Sequence, residues 1–155
     1  DGLPTRAKCD QFIASREKHA LPESFTCIVC KLANLQEENA RLGRDAGDQM
    51  MKDFAGLLTS VFPPSDKLFV GNNGAGQYLV FAESLETGQV EAALFQIGAA
   101  LEEKSQGQGY QLELHDGFAQ AGIEQCYYIR ELLSTAIKRV GAAGGATLRH
   151  QKPGV

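Results

Sequence analysis

Between Arg6 and about His19 the apolar residues Cys9, Phe12 and Ile13 recur at helical spacing, and Leu21-Pro22 ends that helix. Phe25 to Leu32, FTCIVCKL, is an unbroken apolar run of strand length, which predicts a first strand buried on both faces. Past it, Met51, Phe54, Ala55 and Leu58 form the apolar stripe of a helix that Pro63-Pro64 closes. Leu68 to Ala82, LFVGNNGAGQYLVFA, consists of two apolar runs around a glycine-rich and asparagine-rich centre. It predicts a β-hairpin turning at Asn73-Gly74, since both residues tolerate the positive φ of a two-residue turn.

Val90, Ala93, Leu94, Ile97 and Leu101 then mark a core helix from Leu85 to about Ser105, which Gly107 and Gly109 should break. Tyr110, Leu112 and Leu114 alternate with Gln111, Glu113 and His115, the period of a strand. Ile129, Leu132, Leu133, Ala136 and Val140 give a final amphipathic helix. The tail from Gly141 is rich in glycine and alanine, with a candidate edge strand at Thr147 to His150. The order α, β, α, β, β, α, β, α, with that extra strand, is an α+β pattern. It divides the chain into one domain over 1–140 and a tail over 141–155.

Length and charge narrow the function. At 155 residues the chain suffices for one domain with a proper core, and 43% hydrophobic with 22% charged residues is ordinary for a soluble protein. A formal net charge of -4 and the lack of any basic run exclude binding to nucleic acid driven by phosphate neutralisation. No apolar stretch reaches the ~20 residues of a membrane helix, and the opening residues do not read as a signal peptide. A cytoplasmic domain without membrane contact is expected.

The motifs with an obvious chemistry are incomplete. Gly71, Gly74 and Gly76 lack the Lys-Ser or Lys-Thr of a P-loop, and an aromatic strand follows where a dinucleotide site opens a helix. Cys27 and Cys30 form C-x-x-C, but three residues apart on a strand they point to opposite faces. With Cys9 and Cys126 isolated there is no second pair for zinc, and four reduced cysteines are expected. His19, His115 and His150 are scattered and form no triad signature.

Several stretches taken together carry a family resemblance. Asn39, Gly43, Gly47 and Asp48 fall without a gap on the Asn, both Gly and the final Asp of D-x-D-x-F-K-x-x-N-D-x-x-G-H-x-x-G-D. Gly2, Leu3, Pro4 and Arg6 match an L-T-G-L-x-N-R opening, Gly117 and Ala119 match v-S-x-G-x-A, and LLSTA stands for L-L-x-x-A-D. Gly74, Ala75, Gly76, Gln77 and Tyr78 occupy the place of the signature pentapeptide. In these features the chain resembles the GGDEF domains, the diguanylate cyclase family. The resemblance implies the nucleotide-cyclase fold, with a ferredoxin-like core and a mixed sheet whose central strands are antiparallel, surrounded by helices.

It also implies where chemistry should sit, and those positions are changed. The family's metal carboxylates correspond to Lys31 and Gly76, the second Asp of the strand motif to Ala33, the fourth signature position to Gln77 and a phosphate lysine to Gln36. The R-x-x-D of the family's inhibitory product site falls on Ser65 and Leu68. Two-metal phosphoryl transfer needs hard oxygen ligands, so no metal and no cofactor is expected. The vestigial signature is Gly74 to Tyr78, with no catalytic residue.

Asn39 and Asp48, by contrast, match the side chains that in the family hydrogen-bond guanine. An amide and a carboxylate suit a guanine edge. They equally suit an ordered turn and a helix start, as do Glu37, Glu38 and Asp45 nearby. The expected function is a catalytically inactive regulatory or protein-interaction domain of a larger bacterial signalling protein. A guanine-nucleotide receptor, for GTP or a compound related to cyclic di-GMP, is the alternative, and an active cyclase comes third. Expected partners are the other domains of the parent protein and, on the alternative, a guanine nucleotide; a homodimer is compatible.

Overall fold

The computed structural model describes residues 1–140, so the edge strand expected at 147–150 lies outside the described residues. In chain order the elements are α1 (Arg6–Arg16), β1 (Thr26–Leu32), α2 (Leu35–Leu42), α3 (Arg44–Val61), β2 (Leu68–Gly74), β3 (Gln77–Ala82), α4 (Thr87–Gln108), β4 (Leu114–Gln120), α5 (Ala121–Glu124) and α6 (Ile129–Val140). The strands form one sheet in the order β2-β3-β1-β4, antiparallel at each of its three pairings. Helices flank this sheet on both faces, and the α+β fold class is the expected one.

Alternation along β1 divides the core in two. Ile28, Cys30 and Leu32 face Met50, Phe54 and Leu58 of α3 and Val90, Leu94, Ile97 and Leu101 of α4. Cys27 and Val29 face Cys9 and Ile13 of α1 and Ile129, Leu132 and Ala136 of α6. The two cysteines of the C-x-x-C therefore lie in different halves of the core. All four cysteines are free thiols, and burial pushes Cys9 up to about 11 and Cys27 higher still.

Four local expectations need correction. The hairpin turns at Ala75-Gly76 rather than Asn73-Gly74: Gly74 pairs with Gln77, and a register shift between Asn72 and Gly74 makes Asn73-Gly74 a β-bulge. The single helix expected between the first strand and the hairpin is two helices, because Gly43 at φ 94 breaks the path between α2 and α3. Gly107 remains inside α4, whose left-handed C-cap is Gly109.

The strand expected from Tyr110 begins only at Leu114. β1 ends at Leu32, so Tyr110 to Glu113 has no strand beside it, although Ala33 N–H donates to the Glu113 carbonyl at 2.9 Å. Side chains of the β1–α2 corner take that place: the Asn34 amide donates to the Gln111 carbonyl and accepts from the Glu113 N–H, and the Glu38 carboxylate accepts from the Gln111 N–H at 3.0 Å. A side-chain amide aligned with an extended backbone offers the same donor and acceptor pair as a neighbouring peptide. The alternation in the sequence thus reports an extended segment without a ladder.

Candidate functional site

The residues with candidate chemistry lie in two places, the end of β1 under the hairpin turn and the junction of α2 with α3.

At the first, Lys31 is exposed at the end of β1, in register with Gln77 on one side and His115 on the other. Gly74, Ala75 and Gly76 all have positive φ, at 88°, 54° and 77°. A two-residue turn of this hand requires positive φ at both central positions, and for Ala75 that costs roughly 1 kcal/mol relative to glycine. Gly76 is buried because the turn folds down on the strand: its carbonyl accepts from Leu32 N–H at 2.9 Å. A Cβ placed there would meet the Leu32 carbonyl oxygen at 3.0 Å and Leu35 Cδ2 at 3.6 Å.

Several polar groups of the hairpin bond to one another, while Asn73 Oδ1 is buried and accepts no hydrogen bond among the described residues. Asn73 Nδ2 donates to Gln77 Oε1 at 2.7 Å, and Gly74 N–H donates to Asn72 Oδ1 at 2.9 Å. Asn72 donates to the Pro4 carbonyl through its backbone and to Asp1 Oδ2 through its amide, which ties the opening residues to β2. Tyr78 is buried, edge-on to Phe54 with ring centroids 4.9 Å apart, and its hydroxyl donates to Asp1 Oδ2 at 3.3 Å. Burial pushes the phenol up to about 12.

At the second place Asn39 sits on α2 with its carboxamide against the backbone of α3. An added Cβ at Gly47 would lie 1.7 Å from Asn39 Oδ1 and 2.7 Å from its Cγ, so the absence of a side chain at 47 is what lets the two helices close. Asn39 Oδ1 is buried and accepts no hydrogen bond among the described residues. Its backbone carbonyl accepts from Gly43 N–H at 2.8 Å, closing the last turn of α2. Asp48 follows Gly47 directly in α3 and is exposed. The structure therefore brings Asn39 and Asp48 to one corner, with a buried free amide oxygen and an exposed carboxylate.

Between this corner and the segment at 110–113 lies a clamp for which the sequence carries no motif. Glu38 is 7% exposed and takes Arg41 through both carboxylate oxygens, at 3.1 and 2.6 Å. Arg41 also donates to the Gly109 carbonyl at 3.2 Å. The Arg41 guanidinium, then the Gln111 N–H, hold the Glu38 carboxyl below the usual carboxylate range. Nearby, Tyr110 donates to Asp53 Oδ2 at 3.0 Å; burial first, and this carboxylate second, push its phenol up.

Among the described residues no three or more His, Cys, Asp and Glu side chains are grouped to hold a metal ion. Nor is any described helix long and apolar enough to cross a membrane. A cavity of about 630 Å³ lies beside α4 and includes neither the hairpin turn nor Asn39 nor Asp48 in its walls.

Comparison with known proteins agrees with this architecture. Residues 1–143 match the family model described as "Diguanylate cyclase, GGDEF domain". The active GGEEF domain of a diguanylate cyclase from Vibrio cholerae is similar at 21% identity and a TM-score of 0.67, over 88% of this chain and 87% of that one. The GGDEF domain of DgcB from Caulobacter crescentus, solved with c-di-GMP, is 18% identical with a TM-score of 0.71, over 92% and 87%. The GGDEF domain of FimX from Pseudomonas aeruginosa is 18% identical with a TM-score of 0.69, over 90% and 87%. At these identities the solved structures speak to the fold. No curated protein matches the chain.

Proposed function

Because the chain belongs to the GGDEF domain family, the family of the diguanylate cyclases, we propose that it is a catalytically inactive member that serves as a regulatory or protein-interaction domain of a larger signalling protein. The observation that carries this is the closure of the Ala75-Gly76 turn onto the end of β1. Joining two GTP molecules requires a divalent cation held by oxygen ligands and bridging phosphates. The positions at which the family pattern puts its metal carboxylates are Lys31, an ammonium, and Gly76, a buried residue whose Cβ would press on the Leu32 carbonyl. This donor set does not fit Mg²⁺ or Mn²⁺.

Gln77 supports the same reading. It stands at the fourth signature position, and its carboxamide is engaged by Asn73 within the hairpin. A closed, internally bonded hairpin suits a recognition surface better than a phosphate cradle.

The test is incubation with GTP and either Mg²⁺ or Mn²⁺. No cyclic dinucleotide above the protein-free control is expected; steady formation of product over many turnovers would sink the proposal.

A second reading, a receptor for guanine nucleotides, is favoured by Asn39 Oδ1, buried without a partner beside the exposed Asp48. On that reading the base is bound without metal, by the edge of the purine alone.

A further inference from the structure

The extended segment Tyr110 to Glu113 is bonded along one edge only. Gln111 and Glu113 turn their N–H and carbonyl groups to the β1–α2 corner, where Asn34, Glu38 and the Ala33 N–H meet them. In an extended chain successive residues point these groups to opposite edges, so those of Tyr110 and Leu112 face the other way. They make no hydrogen bond among the described residues. Further along the same edge the Phe118 carbonyl is taken by Arg139 at 2.9 Å, and Arg139 is itself held by both oxygens of Glu124, so the open stretch ends before Phe118.

The cavity of about 630 Å³ runs between this segment and α4. Leu101 and Tyr110 give it a buried apolar wall, and Ser105, one helical turn after Leu101, adds a hydroxyl that is 5% exposed and whose Oγ has no hydrogen-bond partner among the described residues. Buried polar groups are nearly always paired, so three unpaired positions around one cavity indicate what fits there. Two peptide groups about 7 Å apart on one edge present donor, acceptor, donor, acceptor in turn, and an antiparallel extended chain is what completes that repeat.

We propose that this edge binds an extended peptide segment of a partner protein as an antiparallel strand, with an apolar residue opposite Leu112 and, two residues later, a serine, threonine or asparagine opposite Tyr110. Opposed side chains of an antiparallel pair share a face, and Tyr110 and Leu112 lie on the face packed against α3 and α4. The apolar residue therefore covers Leu101, and the polar one reaches the Ser105 hydroxyl. The site shares no residue with the hairpin turn or with Asn39 and Asp48. It goes beyond the interaction-domain reading by giving the partner's chemistry, and it stands whether or not the domain turns over or binds GTP.

Amide chemical-shift mapping and hydrogen exchange of the whole chain with the uncharged peptide acetyl-Gly-Leu-Gln-Thr-Gly-amide test this. Saturable shifts confined to residues 98–114 are expected, at a dissociation constant of about 1 mM or tighter. The Tyr110 and Leu112 amides should exchange quickly in the free chain and slow about tenfold near saturation. N-methylation of the peptide's Leu and Thr nitrogens removes the donors that meet the Leu112 and Tyr110 carbonyls and should abolish binding, whereas N-methylation of its Gln, whose N–H faces away, should weaken it less than about threefold. Equal losses from the two overturn the pairing. Replacing the peptide's Thr by Val should cost about fivefold with the wild-type protein and nothing with Ser105→Ala, and an equal cost in both overturns the place given to Ser105. Slow Tyr110 and Leu112 amides in the free chain at every concentration would mean that residues after 140 hold the edge, and slowing that grows with protein concentration would mean a second copy. Either result, or no response to the peptide, overturns the proposal.

Discussion

The end of β1 and the α2–α3 junction are the two corners where the family pattern places its chemistry, and their residues are held in different ways. Under the hairpin the backbone sets the arrangement: a two-residue turn lies against the strand, with Gly76 in it, Gln77 after it and Lys31 in register with Gln77. At the junction the side chains match, and part of the match has a steric cause. Gly43 is needed for its φ of 94° and Gly47 for the contact with the Asn39 carboxamide. The two glycines of the four matched residues there are thus explained by how two helices close. Asp48, exposed and without a partner among the described residues, and the unpaired Asn39 Oδ1 are left as indicators of a ligand.

The steric account can be broken most directly at Gly47. Gly47→Ala would drive a Cβ into Asn39 Oδ1, and the loss of stability should be about 2 kcal/mol. Asn39→Ala in the same chain should return most of that loss, because it removes the group struck. Thermal or urea unfolding of the two single variants and the double variant measures the coupling. If the two substitutions simply add, Asn39 does not pack on Gly47 and the comparison loses its basis.

The Glu38 clamp is next in size. Glu38→Gln removes the bidentate partner of Arg41 and the charge that accepts from Gln111, and about 1.5 kcal/mol should be lost at neutral pH. The sign of the pH dependence follows from the lowered carboxyl. Its folded value lies below the unfolded value of about 4.3, so its contribution is present above that pH and is lost as pH falls through the folded value. The gap between wild type and Glu38→Gln should therefore close in acid below about pH 4, and a gap constant with pH contradicts the clamp.

How much of this was legible follows the same division. Elements with a continuous apolar stripe, such as β1 or α6, show in the sequence because burial on one face sets their period. The hairpin itself showed, but its turn did not, because Asn-Gly is so favourable a turn pair that Ala75 at φ 54° goes unsuspected. Tyr110 to Glu113 alternates as a strand does, yet its partners are the Ala33 N–H and the side chains of Asn34 and Glu38 from far earlier in the chain, a pairing no local pattern encodes. The same holds for the closeness of Asn39 to Gly47: the spacing matched a motif, and only coordinates separate the steric reason from the chemical one.

At the hairpin a smaller effect sharpens the contrast. Gly76→Ala puts a Cβ at 3.0 Å from the Leu32 carbonyl and asks for a second alanine at positive φ, a loss of about 1 kcal/mol. Hydrogen exchange at Leu32, whose N–H is bonded to the turn, should speed up with it. An unchanged Leu32 amide would mean that the turn is not closed on β1.

The smallest effect on stability should come from Asp48, and it is the one that separates the two functional readings. Exposed in α3 and without a partner among the described residues, it can be changed to Asn within about 0.5 kcal/mol. If guanine recognition is retained, two or three base hydrogen bonds set against the entropy of association suggest a dissociation constant on the order of 0.1 to 1 mM. Affinity should then be nearly the same for GTP and GDP, independent of Mg²⁺, and weaker for ATP, because Lys31, Gln36 and Gly76 supply no metal-bridged phosphate contacts. Asp48→Asn should weaken it further, since an acceptor-only carboxylate becomes a group with two donors facing the guanine N–H groups. Titration of the three nucleotides into both proteins reads this directly. No preference for guanine over adenine, or equal binding by Asp48→Asn, would leave the corner with its steric explanation alone.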